Sequence, residues 1–490
     1  MKTKSHNLNY NNMKAINNNF WDVNWGPDEA KGDNNLQQYF LEIPEYMELK
    51  KGNYRYVIGR KGTGKTAIIE QIKLESDAQY NCFYKYLSLK DFPIQLLRGL
   101  KDKSQGGKSQ FVPIWTFLIL TELCKLIIQD QSAHPTDSIN ELRTFISTNF
   151  PSDLGFTETL TNLTNRGNKV NVLPKWAGLE YSSMTSQESL IPIHYQKVTD
   201  VLIANIRQIK TECKFYLLFD ELDEGYSAGD KSLNLLLLAL LRAVENTYLD
   251  LNKYINCIPI LALRSDIFDN LEDNDLNKLD DYIINLRWTR EFGVGYSLYD
   301  LINARINASL PVLNPAKAWE CIADNKDIRQ SNSLWDYIVS RTFERPRDLI
   351  KYMKCCNSLR RKGVLSYNDV YAAELKYSEW FFKEFRDEIQ SHLPIWREVS
   401  QAIIRVGSPV FSTDAIKKEL DNDKKILQYM DNHNMRHEDI LNMLFDFSLI
   451  GTLSDSGKWL FKYKYHNLPY NSHHRIIVHY GFTRNFRMKV

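Results

Sequence analysis

The sequence predicts an α/β fold, with a parallel β-sheet and its connecting helices in about the first 300 residues and a mostly helical region after them. Short runs rich in β-branched and aromatic residues, at 54–58 and 82–89, are typical of strands. Continuous apolar runs at 215–219 and 257–263 are typical of strands that a parallel sheet buries on both faces. Segments with helical spacing separate the strands, as a parallel sheet requires. They lie at 67–72, 112–129, 195–209 and 232–249.

Composition divides the chain into four parts. Residues 1–20 are Asn-rich and predict a flexible polar tail, and residues 21–300 contain the α/β core. Within the core, residues 131–190 are rich in Ser, Thr, Asn and Gly with few periodic runs, so we expect an insertion there. Residues 301–390 show helical spacing without further strands, and residues 391–490 combine short helices with a strand-like end.

The overall composition is that of an ordinary globular protein. The 490 residues include 62 Lys+Arg and 60 Asp+Glu, giving a net charge of +2. This balance excludes a strongly basic coat for nucleic acid and a long acidic disordered tail. The length is enough for about three domains.

Cysteine spacing and hydropathy indicate the compartment. The seven cysteines form no Cys-x-x-Cys pair, so neither a disulfide framework nor a structural zinc site is expected. The longest apolar run, 235–241, is far shorter than a membrane span, and the N-terminus lacks the apolar stretch of a secretory signal. We therefore expect a cytoplasmic protein with no membrane partner.

The segment Gly59-Arg60-Lys61-Gly62-Thr63-Gly64-Lys65-Thr66 fits the pattern G-x-x-x-x-G-K-[ST] and stands between a predicted strand and a predicted helix. In a P-loop of this kind, backbone amides and the helix N-terminus surround phosphate groups. Lys65 is predicted to reach the β- and γ-phosphates, and the Thr66 hydroxyl to ligate Mg²⁺. The alternative is a glycine-rich turn with an incidental lysine. The residues predicted to contact phosphate through the backbone are Gly59, Gly62, Thr63 and Gly64.

Two acids follow the apolar strand 215–219. Asp220 is placed to hold Mg²⁺, and Glu221 is placed to activate the attacking water as a general base. An acidic pair after a strand is by itself an ordinary loop start. Together with Lys65, however, it predicts a nucleotide hydrolase rather than an enzyme that transfers phosphate to a small substrate.

Arg264 follows the next predicted strand. Ligands of open α/β sheets bind outside the carboxyl ends of strands, so Arg264 is a candidate sensor of the γ-phosphate. Its alternative role is an ion pair with the acidic stretch that begins at Asp266. The nearby segment Asn277-Lys278-Leu279-Asp280 matches the guanine-selecting pattern N-K-x-D, but it follows a polar run instead of a buried strand. We therefore do not predict GTP.

The segments GRKGTGKT, LLFDELDE, ILALRSDIF and FERPRDLIKY together resemble bacterial P-loop ATPases with an AAA+/STAND-type core, including origin-recognition-like and KAP-like relatives. An uncharacterised bacterial ATPase family frequent in phage-defence loci is also similar. The resemblance covers about residues 24–490 and is weakest over 131–190. It implies an α-helical lid at 301–390, ATP and Mg²⁺ as ligands, and a nucleotide-contacting arginine at the start of a lid helix.

By position, Arg347 resembles that lid arginine, and Arg345 is the second candidate. The alternative for either residue is helix packing and a local ion pair with Asp348. The resemblance also implies an adenine-side box at 25–29. An arginine finger is not assigned, because Arg287 and Arg290 are candidates only, so assembly into a homo-oligomer stays open.

Residues 391–490 resemble a winged-helix domain, with helices at about 394–406, 412–421 and 436–447 before a wing that includes a predicted strand at 458–465. From Ser456 onward the chain carries seven basic residues and no acids, with aromatic residues between them. Basic and aromatic residues in this pattern suit nucleic acid. A wing strand with one buried face would give the same alternation, and contact with a protein is a third interpretation.

These features favour an ATP-hydrolysing switch or motor that acts with an effector protein or DNA, in a role implied by the resemblance to be antiphage defence. Two alternatives remain at this point. One is a nucleotide-dependent scaffold with little turnover. The other is a DNA-binding, initiator-like or regulatory protein.

Overall fold

The computed structural model describes residues 19–90, 93–101, 106–150, 155–165, 191–223, 226, 229–288, 296–324 and 333–488. The chain divides into two compact units. One comprises Glu42–Arg287 and is called the sheet unit below. The other combines the residues up to Leu41 with Trp288–Val490 and is called the helical unit.

The sheet unit is built on a five-stranded parallel sheet. Its strands are β1 (Tyr56–Ile58), β2 (Cys82–Ser88), β3 (Lys214–Asp220), β4 (Asn256–Leu263) and β5 (Ile283–Asn285). Their order across the sheet is β2-β3-β4-β1-β5. All neighbours are parallel, so the carboxyl ends of the strands meet at one edge of the sheet.

Helices cover the sheet and join its strands. After α1 (Leu36–Tyr39), which belongs to the helical unit, those of the sheet unit are α2 (Pro44–Lys50), α3 (Lys65–Asp77), α4 (Ile94–Gly99), α5 (Val112–Ile127), α6 (Thr136–Asn149), α7 (Phe156–Asn165), α8 (Ile191–Ile206), α9 (Lys231–Leu251) and α10 (Ser265–Phe268). Helix α5 is buried along nearly its whole length, because α8 and α9 pack against it.

The predicted insertion at 131–190 differs from expectation. Few periodic runs were expected there, yet helices α6 and α7 form within it. Ile139, Leu142 and Phe145 of α6 join the same hydrophobic core as the strands. Their spacing gives one apolar helical face despite the Ser, Thr and Asn residues between them. Residues 166–190 lie outside the described part of the chain.

The helical unit contains most of the remaining helices and a small antiparallel sheet. Its later helices are α11 (Leu298–Ser309), α12 (Ala318–Ile322), α13 (Leu334–Val339), α14 (Pro346–Asn357), α15 (Tyr367–Ile389), α16 (Trp396–Val406), α17 (Thr413–Asp421), α18 (Lys424–His433), α19 (His437–Asp446) and α20 (Tyr480–Thr483). Its strands are β6 (Val410–Phe411), β7 (Ile450–Leu453), β8 (Trp459–Leu460) and β9 (Ile476–Val478), in the order β6-β9-β7-β8.

One hydrophobic core runs through the helical unit, from α11 to the C-terminal residues. Phe20, Val23 and Trp25 belong to this core, so residues 19–41 lie with the helical unit and not with the α/β core to which the sequence assigned 21–41. Phe20 is fully buried, unlike a residue of a polar tail, whereas residues 1–18 lie outside the described chain. No helix among the described residues is both long and apolar enough to cross a membrane.

Candidate nucleotide-binding site

The loop from Gly59 to Gly64 joins β1 to α3 at the carboxyl edge of the sheet. Gly62 has a φ of 82° and Gly64 a φ of 105°, which are left-handed conformations that favour glycine. A Cβ atom at Gly59 would lie only 2.6 Å from Oγ1 of Thr63. The tight curl of this phosphate-binding loop, which we call the P-loop, therefore depends on the glycines that define the motif.

Lys65 is the first residue of α3, and its ammonium group bends back over the P-loop. Nζ donates hydrogen bonds to the carbonyl oxygens of Gly59 (2.7 Å) and Arg60 (3.0 Å). Loss of hydration lowers the pKa of Lys65 to about 8, although the carboxylates of Asp220 and Asp223 act in the opposite direction. A phosphate group above the loop would give this ammonium a stronger acceptor than the two carbonyls.

Asp220 ends β3, and its buried carboxylate lies beside Thr66. The Thr66 hydroxyl donates a hydrogen bond to this carboxylate, and the Glu221 backbone N–H donates to Oδ1 at 2.9 Å. The other oxygen, Oδ2, is buried and has no hydrogen-bond partner among the described residues. Burial raises the pKa of Asp220. Hard oxygen donors of this kind are what Mg²⁺ prefers, so the predicted pair fits that ion.

Glu221 lies beside two hydroxyl residues of the neighbouring strand β2. Ser88 donates a hydrogen bond to its carboxylate, and the charge of Glu221 acts on the hydroxyl group of Tyr86. Glu221 itself has a φ of 59°, a strained conformation for a residue with a side chain. Burial, followed by the charges of Asp220 and Glu221, raises the pKa of Tyr86. Sequence reasoning missed Ser88 and Tyr86, because no motif near them indicates that β2 pairs with β3.

Arg264 follows β4 and borders the same site. The Ser265 N–H donates to the Gly59 carbonyl at 3.2 Å, which ties the end of β4 to the P-loop. The Arg264 guanidinium pairs with both oxygens of Asp266 and with Oδ2 of Asp223 at 3.2 Å. The ion pair expected as its alternative role is therefore present, and its role as a γ-phosphate sensor stays a prediction.

The two lid arginines differ in their surroundings within the helical unit. Arg345 is almost fully buried, and its guanidinium pairs with Asp348 and Glu388. These contacts give Arg345 a structural role in this conformation. Arg347 is less buried and lies 3.3 Å from Glu384 and 3.5 Å from Glu29. A nucleotide contact by Arg347 remains a prediction.

Other candidates occupy separate places. Arg287 is exposed just after β5, and Arg290 lies outside the described residues. In the predicted adenine-side box at 25–29, Trp25 is buried and Asp28 pairs with lysines of α14. The guanine-like segment at 277–280 lies in a 3₁₀-helix before β5, away from the carboxyl end of any described strand.

The basic C-terminal segment is less accessible to nucleic acid than its sequence indicates. The predicted strand at 458–465 is wrong beyond Leu460, where β8 ends in a turn. Phe461 and Tyr463 are buried against His479, at ring distances of 5.1 and 5.4 Å. Their burial stabilises the core of the helical unit and leaves these rings unable to stack on a base.

Charged residues near this segment also disfavour nucleic acid. Lys464 pairs with Glu344 at 2.6 Å, and Lys462 lies 3.7 Å from Asp446. Helix α19, which precedes β7, carries Glu438 and Asp439 in its first turn. Carboxylates repel a phosphate backbone, so the predicted nucleic-acid contact finds little support here.

Comparison with known proteins adds two similarities. Residues 296–386 match a family described as the FunZ-associated C-terminal helical domain, which is less than half of the chain. A crystal structure of Cdc6p from Pyrobaculum aerophilum is similar with 11% identity, over 96% of this chain and 97% of that one, at a TM-score of 0.30. No curated protein gave a significant match.

A TM-score of 0.30 carries no weight in assigning the fold. The assignment comes from the parallel sheet, the P-loop after β1 and the acids after β3, followed by a mostly helical region. The predicted fold class, an α/β P-loop sheet followed by a helical region, is therefore confirmed.

Proposed function

We propose that this protein binds and hydrolyses ATP at the P-loop and acts as a nucleotide-dependent switch or motor. The observation that carries the proposal is the grouping of Lys65, Thr66 and Asp220 at the carboxyl edge of the sheet, with Glu221 next to them. A phosphate-binding cation, two oxygen ligands and a carboxylate base are the parts that nucleotide hydrolysis requires.

The residues would divide the work as follows. The P-loop amides and Lys65 hold the β- and γ-phosphates, and Thr66 and Asp220 hold Mg²⁺, either directly or through water. Mg²⁺, when bound, neutralises charge on the phosphate oxygens. Glu221 accepts a proton from the attacking water. Arg264 and Arg347 are the candidates for sensing the γ-phosphate.

The test is phosphate release from ATP by the full chain with Mg²⁺, with excess chelator, and in the variant Asp220→Asn. We expect release by the wild type and little in the other two cases. Asp281→Asn is the matched control, because Asp281 is an exposed acid in the same unit. No release by the wild type in any condition, with duplex DNA, single-stranded DNA or RNA included, would contradict the proposal.

A scaffold with little turnover is the second candidate, and a specific contact favours it. Ser88 donates a hydrogen bond to the carboxylate of Glu221, so the base is engaged in this conformation. A scaffold would bind ATP with Mg²⁺ and release phosphate slowly even when DNA, RNA or a partner protein is present. A switch would release phosphate faster once its partner is added.

A role in antiphage defence with an effector protein rests on the resemblance of the motifs. The similarity of residues 296–386 to a FunZ-associated domain is consistent with a chain that works with a partner. Plaque counts on cells that carry this gene with its neighbours test the role. Wild type should reduce the counts, Lys65→Ala should not, and equal counts for both would contradict it.

Binding to DNA is the remaining alternative. Its support is reduced to exposed groups such as Lys458 and Arg475, because the rings of Phe461 and Tyr463 are buried. A gel shift that is salt-dependent and weakened by Lys458→Glu with Arg475→Glu would support it. A shift that these changes leave intact would place any DNA contact elsewhere.

A further inference from the structure

A cavity of about 330 Å³ lies at the amino end of the parallel sheet, where β4 begins. The P-loop follows the carboxyl end of β1, so the cavity is at the opposite edge of the sheet from the candidate nucleotide site. Its lining includes Lys51, Tyr248, Lys253 and Tyr254.

The charged residues of this lining are both lysines. Lys253 is exposed and has no ion pair or hydrogen bond within the described chain. Lys51 pairs with Glu48 at 2.6 Å, which uses one of its three donors. The lining contains no carboxylate, and its other polar groups are amides and hydroxyls. The cavity therefore favours an anionic ligand.

One aromatic wall is fixed before any ligand binds. The guanidinium of Arg55 lies 4.2 Å from the centre of the Tyr248 ring, and Arg55 is itself buried in a two-bond ion pair with Glu245. A Cβ atom at Gly52 would lie 3.2 Å from the same ring, so the backbone beside Lys51 approaches Tyr248 closely. A wall that is already rigid lowers the entropy cost of binding.

A second ring is open to solvent. Tyr254 is 48% exposed. The guanidinium of Arg207 lies 5.4 Å from this ring and pairs with Asp250 at 2.9 Å. Lys253, the preceding residue in the chain, lines the same cavity. A flat group stacks on such a ring, and lysine binds phosphate as a point charge.

From these contacts we propose that the cavity is a second ligand site, for a small phosphate-bearing molecule with a planar ring. Its volume lies at the lower end of the range for ligand pockets, so the ligand is of about mononucleotide size. Lys51 and Lys253 would bind the phosphate, and Tyr254 the ring.

Calorimetric titration with AMP and with inorganic phosphate tests this site. The protein is the full chain with Lys65→Ala, which weakens phosphate binding at the P-loop, so the result does not depend on ATP hydrolysis. We expect AMP to bind, and to bind about tenfold more weakly or worse when Lys51→Gln and Lys253→Gln are added. Tyr254→Ala should weaken AMP and leave phosphate unchanged. Lys210→Gln is the matched control, an exposed lysine at the same edge but outside the lining.

Several results would overturn the proposal: no AMP binding, affinity that survives the double lysine change, or an equal loss in Lys210→Gln. Equal affinity for phosphate and AMP would overturn the role of the ring. The thermal unfolding temperature of each variant shows whether it is folded. Lys253→Gln alone serves if the double variant is unstable, because Lys253 makes no described contact that folding requires.

Discussion

The side-chain hydroxyl of Ser88 donates a hydrogen bond to Oε2 of Glu221. Ser88 is the last residue of β2 and stands opposite Asp220 in the register with β3. The contact therefore joins the proposed general base to a neighbouring strand. Since a carboxylate that accepts this bond is less free to turn toward a water molecule, the position of β2 bears on the rate of hydrolysis.

Ser88→Ala should raise the basal rate of phosphate release. Removing one hydrogen bond to the carboxylate frees Glu221, and the free energy of such a bond corresponds to about a three- to tenfold change in rate. The measurement is steady-state phosphate release at saturating ATP. Ser147→Ala, on the exposed face of α6, is the control and should leave the rate unchanged. A slower Ser88→Ala protein would mean that Ser88 orients Glu221 for catalysis.

Affinity for ATP should fall as pH rises above 8. The pKa of Lys65 is lowered to about 8 by burial, and phosphate binds the protonated form. Since the competent fraction decreases above that pH, the Kd should rise about five- to tenfold between pH 7.5 and pH 9. Equilibrium titration of ATP at the two pH values measures it. Lys65→Arg keeps its charge throughout and should lose this dependence. A Kd that is equal at both pH values in the wild type would contradict the assignment.

The helical unit should lose stability in mild acid because of His479. Burial, together with the positive charges of Lys464, Arg341 and Arg345, holds the pKa of His479 well below its usual value. The unfolded chain then binds a proton that the folded chain does not. The free energy of unfolding therefore keeps its full value above about pH 6.5, the usual pKa of histidine, and decreases as pH falls below that value.

Urea unfolding at pH 7.5 and pH 5.5, followed by tryptophan fluorescence, checks this prediction. Eight of the ten tryptophans lie in the helical unit, so the signal reports mainly on that unit. We expect the midpoint to fall at the lower pH in the wild type and to fall less in His479→Gln. His433→Gln, at an exposed histidine, should behave as the wild type does. An unchanged pH dependence in His479→Gln would refute the role of that residue.

Gly481→Ala should destabilise the helical unit. A Cβ atom there would lie 2.5 Å from the carbonyl oxygen of Arg341 and 2.5 Å from Cε1 of Phe381. Since a backbone atom cannot move aside cheaply, we expect a loss of about 1–3 kcal/mol in the free energy of unfolding. Urea titration with tryptophan fluorescence measures the loss. Gly99→Ala, where no atom lies within 4 Å, should have little effect, and equal stability of the two variants would be evidence against this packing.

The strands at the nucleotide site could be predicted because their sequence pattern is local. The apolar run at 215–219 followed by Asp220 corresponds to β3, and the P-loop pattern places α3 at Lys65. The short strand β5 was missed, because its three residues carry no pattern that separates them from a loop. Helix α6 was missed because its polar composition hid an apolar face.

The contacts missed at the site depend on the tertiary fold. Ser88 and Tyr86 reach Glu221 only because β2 pairs with β3, and no motif near residue 88 indicates that pairing. The aromatic residues near the C-terminus also could not be placed from the sequence without the tertiary fold. Alternation predicted one buried face for residues 458–465, but only packing against His479 shows that Phe461 and Tyr463 form it.

The most direct test of the account compares ATP binding with phosphate release in the same preparations of wild type, Lys65→Ala and Glu221→Gln. We expect the wild type to bind ATP and release phosphate, Glu221→Gln to bind ATP without releasing phosphate, and Lys65→Ala to do neither. Undiminished phosphate release by Glu221→Gln, or undiminished ATP binding by Lys65→Ala, would contradict it.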